Sequence, residues 1–336
     1  MQRSNACAWY TRALSVVGSK QSVRRETMET AAVCSRIAPS FIRIGHFEHF
    51  ASLQNIVRLK ELADLLISEF YPECVSTQDP YLNLFKEISA RNAKLVAQWQ
   101  SVGFCHGVLN SDNISALGLT IDYGPFGFLD HFEIDHICNH SDHASAMLPL
   151  LELEHSAEES QDLLRSALED FPLIYAKEWQ QAFRLKLGLQ SEQDGDIELI
   201  ERLLQAMHDS KVDFTNFFRN LSNLKKESKL TEILQRDEFV DREHIDQWFA
   251  DYINRLQSET ASDDDRKNLM DTVNPKYILR NHLAQAAIEK AQQDDFSEVD
   301  VLFRILSKPF DEQLALHHYS KPPPLDMQRV AVSCSS

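Results

Sequence analysis

One short stretch, from His106 to Phe126, constrains this chain more than any other. It places Asp112 and Asn113 side by side in a predicted loop. A β-branched and apolar run, Ile114 to Ile121, follows as a predicted strand, and Asp122 then precedes a Tyr-Gly turn. An acid, an adjacent amide and a second acid in this order suit Mg²⁺ and nucleotide phosphates. The pattern is kinase-like in its chemistry, although protein kinases separate their loop Asp and Asn and end the block in Asp-Phe-Gly.

The three polar side chains of this stretch have different candidate roles. Asp112 is the candidate general base, because a carboxylate beside a substrate hydroxyl can accept its proton as the oxygen attacks phosphorus. Asn113 and Asp122 supply hard oxygen ligands that a loop and a turn can close on one ion. Turn formation is the alternative for all three, since Asp and Asn are common in turns.

Two arginines form a second candidate feature. Arg36 and Arg43 lie seven positions apart in an otherwise apolar stretch, Val33 to Ile44. Burying a guanidinium group is costly unless it meets an anion. The pattern leaves two anions open, namely the phosphates of a nucleotide and the carboxylate of Glu48 or another acid.

Composition excludes several classes of function. The 336 residues carry a formal net charge of −17, which argues against a general nucleic-acid surface but leaves room for a local basic pocket. No run of about eighteen apolar residues occurs, so we expect no membrane span, and residues 1–20 lack the apolar core of a signal peptide. The six cysteines are scattered without a CxxC pair, which is typical of a reducing compartment.

Hydrophobic periodicity predicts a mainly helical chain with some strands at its start. Thr11–Val17 is predicted as a strand, and Ala31–Ile44 as two extended pieces broken at Pro39. The charged run Ser258–Lys267 is predicted as a solvated loop. Helices are predicted over 55–70, 80–100, 144–154, 157–170, 172–187, 196–210, 214–221, 242–257, 276–293 and 297–307.

The central block resembles a known family. Cys105–Asn113 together with Thr120–Asp130 is similar to selenoprotein O, the protein adenylyltransferases with a pseudokinase fold. The resemblance extends from about Ala6 to Ser336 and is weakest between residues 144 and 240. Further matching segments are Arg12–Gly18, Arg36–Arg43, Gly45–Glu48, Asn139–Asp142, Asn274–Tyr277 and Ser333–Ser336.

The resemblance implies an α+β, protein-kinase-like (pseudokinase) fold, consisting mainly of the helical C-lobe with a remnant of the N-lobe sheet. We expect residues 1–50 to form the remnant of the N-lobe and hinge. Residues 51–240 would form the C-lobe, with the catalytic block at 105–130, and residues 241–336 a helical C-terminal extension and tail. The family's glycine- and arginine-rich loop, nucleotide-binding lysine and partner glutamate have no counterpart here. We therefore expect an N-terminal truncation, and also an internal deletion after His143.

The resemblance also implies an activity, namely transfer of AMP from ATP to Ser, Thr or Tyr hydroxyls of proteins. It assigns Asp112 as the base, Asn113 and Asp122 as ligands of Mg²⁺ (with Mn²⁺ as the alternative), and Asp122 also as facing the nucleotide. It assigns Arg36 and Arg43 to the triphosphate of a nucleotide bound in a flipped orientation. The expected partners are protein substrates, with no nucleic acid and no membrane. The alternative is a catalytically inactive fragment that acts at most as a binding module.

Two cysteines and a group of histidines complete the candidates. The resemblance implies that Cys334, at the position of selenocysteine in some relatives, pairs with Cys138 near the active site as a redox pair. A group of residues of metal-binding types also lies close together in the sequence, namely His131, Asp135, His136, Cys138, His140, Asp142 and His143. Their spacing matches no standard zinc site, so a zinc site is the less favoured interpretation. A terminal Cys favours a bacterial, cytoplasmic protein, with a mitochondrial one as the alternative if the host is eukaryotic.

Overall fold

The structure is a computed structural model that describes residues 12–24, 28–133 and 157–324. These ranges contain ten α-helices and two small antiparallel sheets, so the α+β class is confirmed. The strands are β1 (Arg12–Arg24), β2 (Met28–Ile37), β3 (Phe104–Cys105) and β4 (Gly127–Phe128). The helices are α1 (Ile44–Ser52), α2 (Ile56–Phe70), α3 (Pro80–Ser101), α4 (Ala157–Lys186), α5 (Asp196–Ser210), α6 (Phe214–Leu221), α7 (Arg242–Gln257), α8 (Asp263–Val273), α9 (Asn281–Ala291) and α10 (Ser297–Leu306).

Strands β1 and β2 form a two-stranded antiparallel ribbon in which Val17 pairs with Val33. The predicted first strand is confirmed, and it extends further than Val17. The predicted extended piece after Pro39 is wrong at its end, because Ile44 already begins α1. Only Arg43 retains strand-like pairing there, in an isolated bridge to Ser115.

The N-terminal half packs around α2 and α3. The Asn55 side chain accepts a hydrogen bond from the Arg58 N–H and caps α2, as expected for an N-cap asparagine. Buried Leu59, Leu66 and Leu84 join the apolar residues of segment 114–121, such as Ile121, in one core cluster. This core fixes the loop between α3 and β4, which carries the candidate active-site residues.

Helix α4 differs from the prediction, which divides it into two helices at Pro172. The structure has one helix with Pro172 inside it. Proline removes one helical hydrogen bond, but α4 is held against α3 on the C-terminal side of the proline. Tyr175 Oη donates to Gln100 Oε1, and Lys94 Nζ lies 3.5 Å from Glu178 Oε2. Tertiary packing therefore keeps the helix continuous.

The charged run Ser258–Lys267 is also not the predicted loop, since α8 begins within it. Ser262 Oγ accepts from the Asp265 N–H at 3.1 Å, and Asp263, Asp264 and Asp265 occupy the first helical turn. Acidic residues are stabilising there because they face the positive end of the helix dipole. The aspartates that suggest a solvated loop therefore form a helix start.

The C-terminal helices share a second core that extends from Phe183 to Met270. Helix α9 begins at Asn281 rather than at the predicted Lys276, because the backbone N–H groups of Lys276 and Tyr277 instead donate to Pro309 O.

The domain boundary near residue 240 stays a prediction, and the second core contains residues from both sides of it. In the described ranges, no helix is long and apolar enough to cross a membrane.

Lys186, at the end of α4, is buried in this second core with only 2% of its surface exposed. Its Nζ donates to Asn274 Oδ1 at 2.9 Å and lies 4.2 Å from the centroid of the Phe218 ring. The Asn274 amide in turn donates to the Lys186 carbonyl oxygen at 2.9 Å. Burial lowers the pKa of Lys186 to about 7 because the charged form loses its hydration.

We expect the free energy of unfolding to increase between pH 7 and pH 9.5 because of Lys186. In this range the unfolded chain binds a proton at position 186 that the folded chain has released, so raising the pH favours the folded state. One such group gives a slope of up to about 1.4 kcal/mol per pH unit. Denaturant unfolding of the wild type, Lys186→Met and Lys225→Met across this range measures the effect.

Lys186→Met should lose this part of the slope, whereas Lys225→Met, which changes an exposed lysine, should retain it. Equal slopes in the wild type and Lys186→Met would show that Lys186 is charged in the folded protein.

Candidate active site

Residues 114–121 form a tight hairpin rather than the predicted regular strand. Ile114 and Thr120 make an isolated antiparallel bridge, and Gly118 takes the left-handed conformation (φ +66°) at the turn. Asp112 and Asn113 precede the first arm and Asp122 follows the second, so these residues flank the open end of the hairpin.

Side chains from α3 and from the end of α2 hold the hairpin. Tyr71 Oη donates to the Ala116 carbonyl oxygen, and burial raises the pKa of Tyr71. Asn92 Nδ2 donates to Ser115 O at 3.1 Å, and Trp99 Nε1 donates to Thr120 Oγ1 at 2.9 Å. These bonds fix both arms of the hairpin on the N-terminal core.

The segment before α1 pairs with the first arm of the hairpin and places Arg43 beside it. The Ile44 N–H donates to Ile114 O at 3.0 Å, and the Ala116 N–H donates to Ile42 O at 2.9 Å. Arg43 itself bridges Ser115. Among the described residues Arg43 forms no ion pair, so the contact with Glu48 considered from the sequence is not made.

Arg36 is placed differently, on β2 opposite Ala13. Its guanidinium carbon lies 5.8 Å from the centroid of the Phe41 ring, and it forms no ion pair within the described ranges. The described contacts therefore connect Arg43 directly to the hairpin but leave Arg36 on the ribbon.

The loop that carries Asp112 forms a short 3₁₀ turn, Ser111–Asn113, against the start of α1. Ser111 Oγ donates to Glu48 Oε2 on α1. Gly45, in the first turn of α1, allows the Asp112 carboxylate to approach closely, because a Cβ at position 45 would collide with Asp112 Oδ1. The positive end of α1 thus lies next to the Asp112 carboxylate.

Asn113 and Asp122 flank the two ends of the hairpin. Asn113 Nδ2 donates to Val108 O at 3.2 Å, which leaves its Oδ1 as the available acceptor. Asp122 is half-buried and follows the fully buried Ile121. Within the described ranges no three His, Cys, Asp or Glu side chains form a metal-binding group. An ion bound by Asn113 and Asp122 would therefore need further oxygen ligands from a bound molecule.

The segment after Asp122 is anchored by residues that sequence reasoning missed. Arg280 is 1% exposed, and it donates to Asp130 Oδ1 at 2.9 Å and to Asp213 Oδ2 at 2.7 Å. Burial raises the pKa of Asp213, and the charge of Arg280 opposes this shift. Asp213 also caps α6 by accepting from the Asn216 N–H at 2.8 Å. A sequence feature that could have pointed to Arg280 is its position just after Asn274–Tyr277, one of the segments that resemble the family.

Other sequence candidates have structural roles or lie outside the described residues. His106 is buried, with its ring centroid 5.3 Å from that of Trp99, so it supports the loop by packing. His131, from the zinc candidates, contacts Glu133 Oε1 at 2.7 Å. Cys138, Cys334 and the other zinc candidates, from Asp135 to His143, lie outside the described residues, so the redox pair and the zinc site are untested.

Comparison with known proteins identifies relatives along almost the whole chain. The family model described as "Protein adenylyltransferase SelO" matches residues 8–307. "Protein nucleotidyltransferase YdiU" of Cupriavidus metallidurans is 47% identical over 352 residues, covering 97% of this chain and 65% of the relative. The protein of the same name from Burkholderia multivorans is 47% identical, covering 97% of this chain and 68% of the relative.

This chain thus spans about two thirds of the length of the curated relatives it matches. The matched regions, 352 and 353 residues, are longer than the 336 residues of the chain. The relatives therefore carry internal residues that this chain lacks, and a deletion after His143 stays the predicted place for them. With the family model covering most of its length, the chain belongs to the SelO family, whose description is protein adenylyltransferase.

Proposed function

We propose that this chain is a protein adenylyltransferase that transfers AMP from ATP to Ser, Thr or Tyr hydroxyls of proteins. Family membership and the nucleotidyltransferase name of the relatives support the reaction class. The observation that best supports the proposal is that Arg43 pairs with Ser115 on the hairpin that joins Asp112 and Asn113 to Asp122. Phosphoryl-group chemistry needs acidic side chains that bind a metal ion and accept a proton, and a cationic side chain that binds phosphate.

The proposed fold behind this site is the pseudokinase fold. Residues 51–240 would form the C-lobe, with the ribbon β1–β2 as the part of the N-lobe sheet present in 1–50. In this assignment the catalytic loop follows α3, and the segment 127–133 continues from the Asp-Tyr-Gly turn. The C-terminal extension, 241–336, would be packed on the C-lobe through the shared second core.

Asp112 acts as the general base in this proposal. The hydroxyl oxygen of the substrate attacks the α-phosphorus of ATP and forms the new P–O bond, while the bond to pyrophosphate breaks. The hydroxyl proton passes to the Asp112 carboxylate, which can accept it because it lies at the surface of the loop. Contact with Gly45 and the hydrogen bond between Ser111 and Glu48 keep the loop in place for this step.

The donor set fits a divalent cation of the Mg²⁺ type, with Mn²⁺ as the alternative. Asn113 Oδ1 and the Asp122 carboxylate are hard oxygens, and Mg²⁺ is commonly bound by one or two protein oxygens with the rest supplied by phosphates and water. When bound, the ion would neutralise negative charge on the phosphates. Arg43, and Arg36 from the ribbon, would neutralise further charge on the triphosphate.

ATP with Mg²⁺ should raise the melting temperature of the chain, because a ligand that binds only the folded state stabilises it. At a ligand concentration about 100 times the Kd, the gain is about 2.7 kcal/mol. Thermal unfolding with ATP and Mg²⁺, with ATP and a chelator, and with Mg²⁺ alone separates the contributions. We expect the full increase in melting temperature only when ATP and Mg²⁺ are both present.

Two variants make this experiment specific. Asp122→Asn should lose most of the shift, whereas Asp170→Asn, which removes an exposed carboxylate on α4, should retain it. Absence of any shift with ATP and Mg²⁺ in the wild type would contradict the proposed enzyme and favour the non-catalytic binding module.

A further inference from the structure

A cavity of about 460 Å³ lies between α3, α4, α5 and the segments 103–109 and 129–133. Its volume falls in the range of small-molecule sites in proteins. Six aromatic side chains line it: Trp99, Phe104, Phe132, Tyr175, Trp179 and Phe183. These six side chains make the wall of the cavity mainly apolar.

The charge of the cavity has one sign. Among its described lining residues the only charged side chains are Glu133 and Glu201, and neither Lys nor Arg is present. Glu133 also contacts His131 at 2.7 Å, whereas Glu201 lies exposed on α5. The remaining polar lining groups include the neutral amides of Gln100 and Gln205.

We propose that this cavity binds a small organic cation that has an aromatic or apolar body. A cation over the face of Trp or Tyr is attracted by the negative face of the ring, and a carboxylate at the rim adds a second attraction for the same charge. The apolar body would gain from removal of the ring surfaces from water. Anions such as nucleotides would be repelled, so the site is separate from the proposed ATP site.

The cavity also touches the loop that carries the proposed base. Cys105 and Leu109 line it from one end of the catalytic block, and Leu129 lines it from the segment after Asp122. An occupant would therefore contact both chain segments that lead to the open end of the hairpin. It would also cover the Cys105 side chain, which provides a position-specific readout.

Three probes with one body and different heads test the ligand class: 3-phenylpropylammonium, 3-phenylpropanol and 3-phenylpropionate. Ligand-observed NMR titration at pH 7 measures their affinities. We expect the ammonium compound to bind about tenfold more tightly than the alcohol, which corresponds to about 1.4 kcal/mol from the rings and carboxylates. The carboxylate compound should bind most weakly of the three.

Glu201→Gln should weaken binding of the ammonium compound about fivefold and leave binding of the alcohol unchanged. Glu198→Gln is the matched control, because it removes an exposed carboxylate from the same helix that does not line the cavity. The control is needed since the chain carries a net charge of −17, which attracts any cation. Equal loss in both variants, or equal affinity for ammonium compound and alcohol, would overturn the proposal.

Alkylation of cysteines locates the binding. The ammonium compound should slow modification of Cys105 by iodoacetamide, followed by peptide mass spectrometry, while exposed Cys34 on β2 serves as the internal reference. Slowing at Cys105 that is reduced in Glu201→Gln at the same probe concentration supports the site. Binding without protection of Cys105 would place the cation elsewhere and overturn the assignment.

Discussion

Asp112→Asn should reduce AMP transfer by about 10²- to 10⁴-fold, the usual contribution of a general base. Asparagine keeps the size of the side chain but cannot accept the hydroxyl proton. The variant should fold normally, because Asp112 lies at the surface of its loop and makes no ion pair among the described residues. Transfer of labelled AMP from ATP to a protein acceptor, measured at saturating ATP, gives the rate.

Two comparisons separate loss of the base from loss of the site. Asp112→Asn should keep the stabilisation by ATP and Mg²⁺, whereas Asp122→Asn should lose both this stabilisation and AMP transfer. Asp170→Asn should retain both. Undiminished transfer by Asp112→Asn would remove Asp112 from the role of base. A wild-type chain that stabilises with ATP but transfers no AMP would contradict the proposed activity while leaving nucleotide binding intact.

Local sequence signals predict most of the helices of this chain. Asn55, Asp213 and Asp241 each precede an apolar periodic run, and in the structure each accepts a hydrogen bond from a backbone N–H in the first turn of its helix. Such caps are local, so the sequence contains all the information that they need. Local signals were misinterpreted at Ser262, whose cap begins α8 within an acidic run. At Pro172, packing against α3 outweighs the signal of the proline.

Some features of the candidate site likewise follow from the local sequence, whereas others depend on contacts between distant segments. The order of Asp112, Asn113 and Asp122 points to metal and proton chemistry without any structure. The sequence does not show that Arg43 pairs with Ser115, because this contact depends on the register between two segments that are far apart in the chain. Nor does it show that Arg280 reaches Asp130, since these residues are 150 positions apart. Long-range electrostatic partners therefore had to come from the structure.

Arg280→Met should lower the free energy of unfolding by about 3–5 kcal/mol, the usual cost of removing one partner from a buried ion pair. Arg280 is 1% exposed and donates to two carboxylates, Asp130 and Asp213, and to the Ser320 carbonyl oxygen at 3.2 Å. Methionine fills part of the same space but leaves Asp213, which is mostly buried, without its cation. Denaturant unfolding at pH 7 measures the loss, with exposed Arg304→Met as the matched control.

The pH dependence shows whether the lost charge is the cause. Without Arg280 the pKa of Asp213 should rise further, because burial already raises it and the opposing positive charge is gone. The destabilisation should then be largest near pH 7 and should decrease as the pH falls through this raised pKa, where Asp213 becomes neutral. A double variant, Arg280→Met with Asp130→Asn, should recover part of the lost free energy of unfolding at pH 7, because it removes one unpaired carboxylate. A loss that is the same at every pH and is not recovered would point to packing of the arginine side chain rather than to its charge.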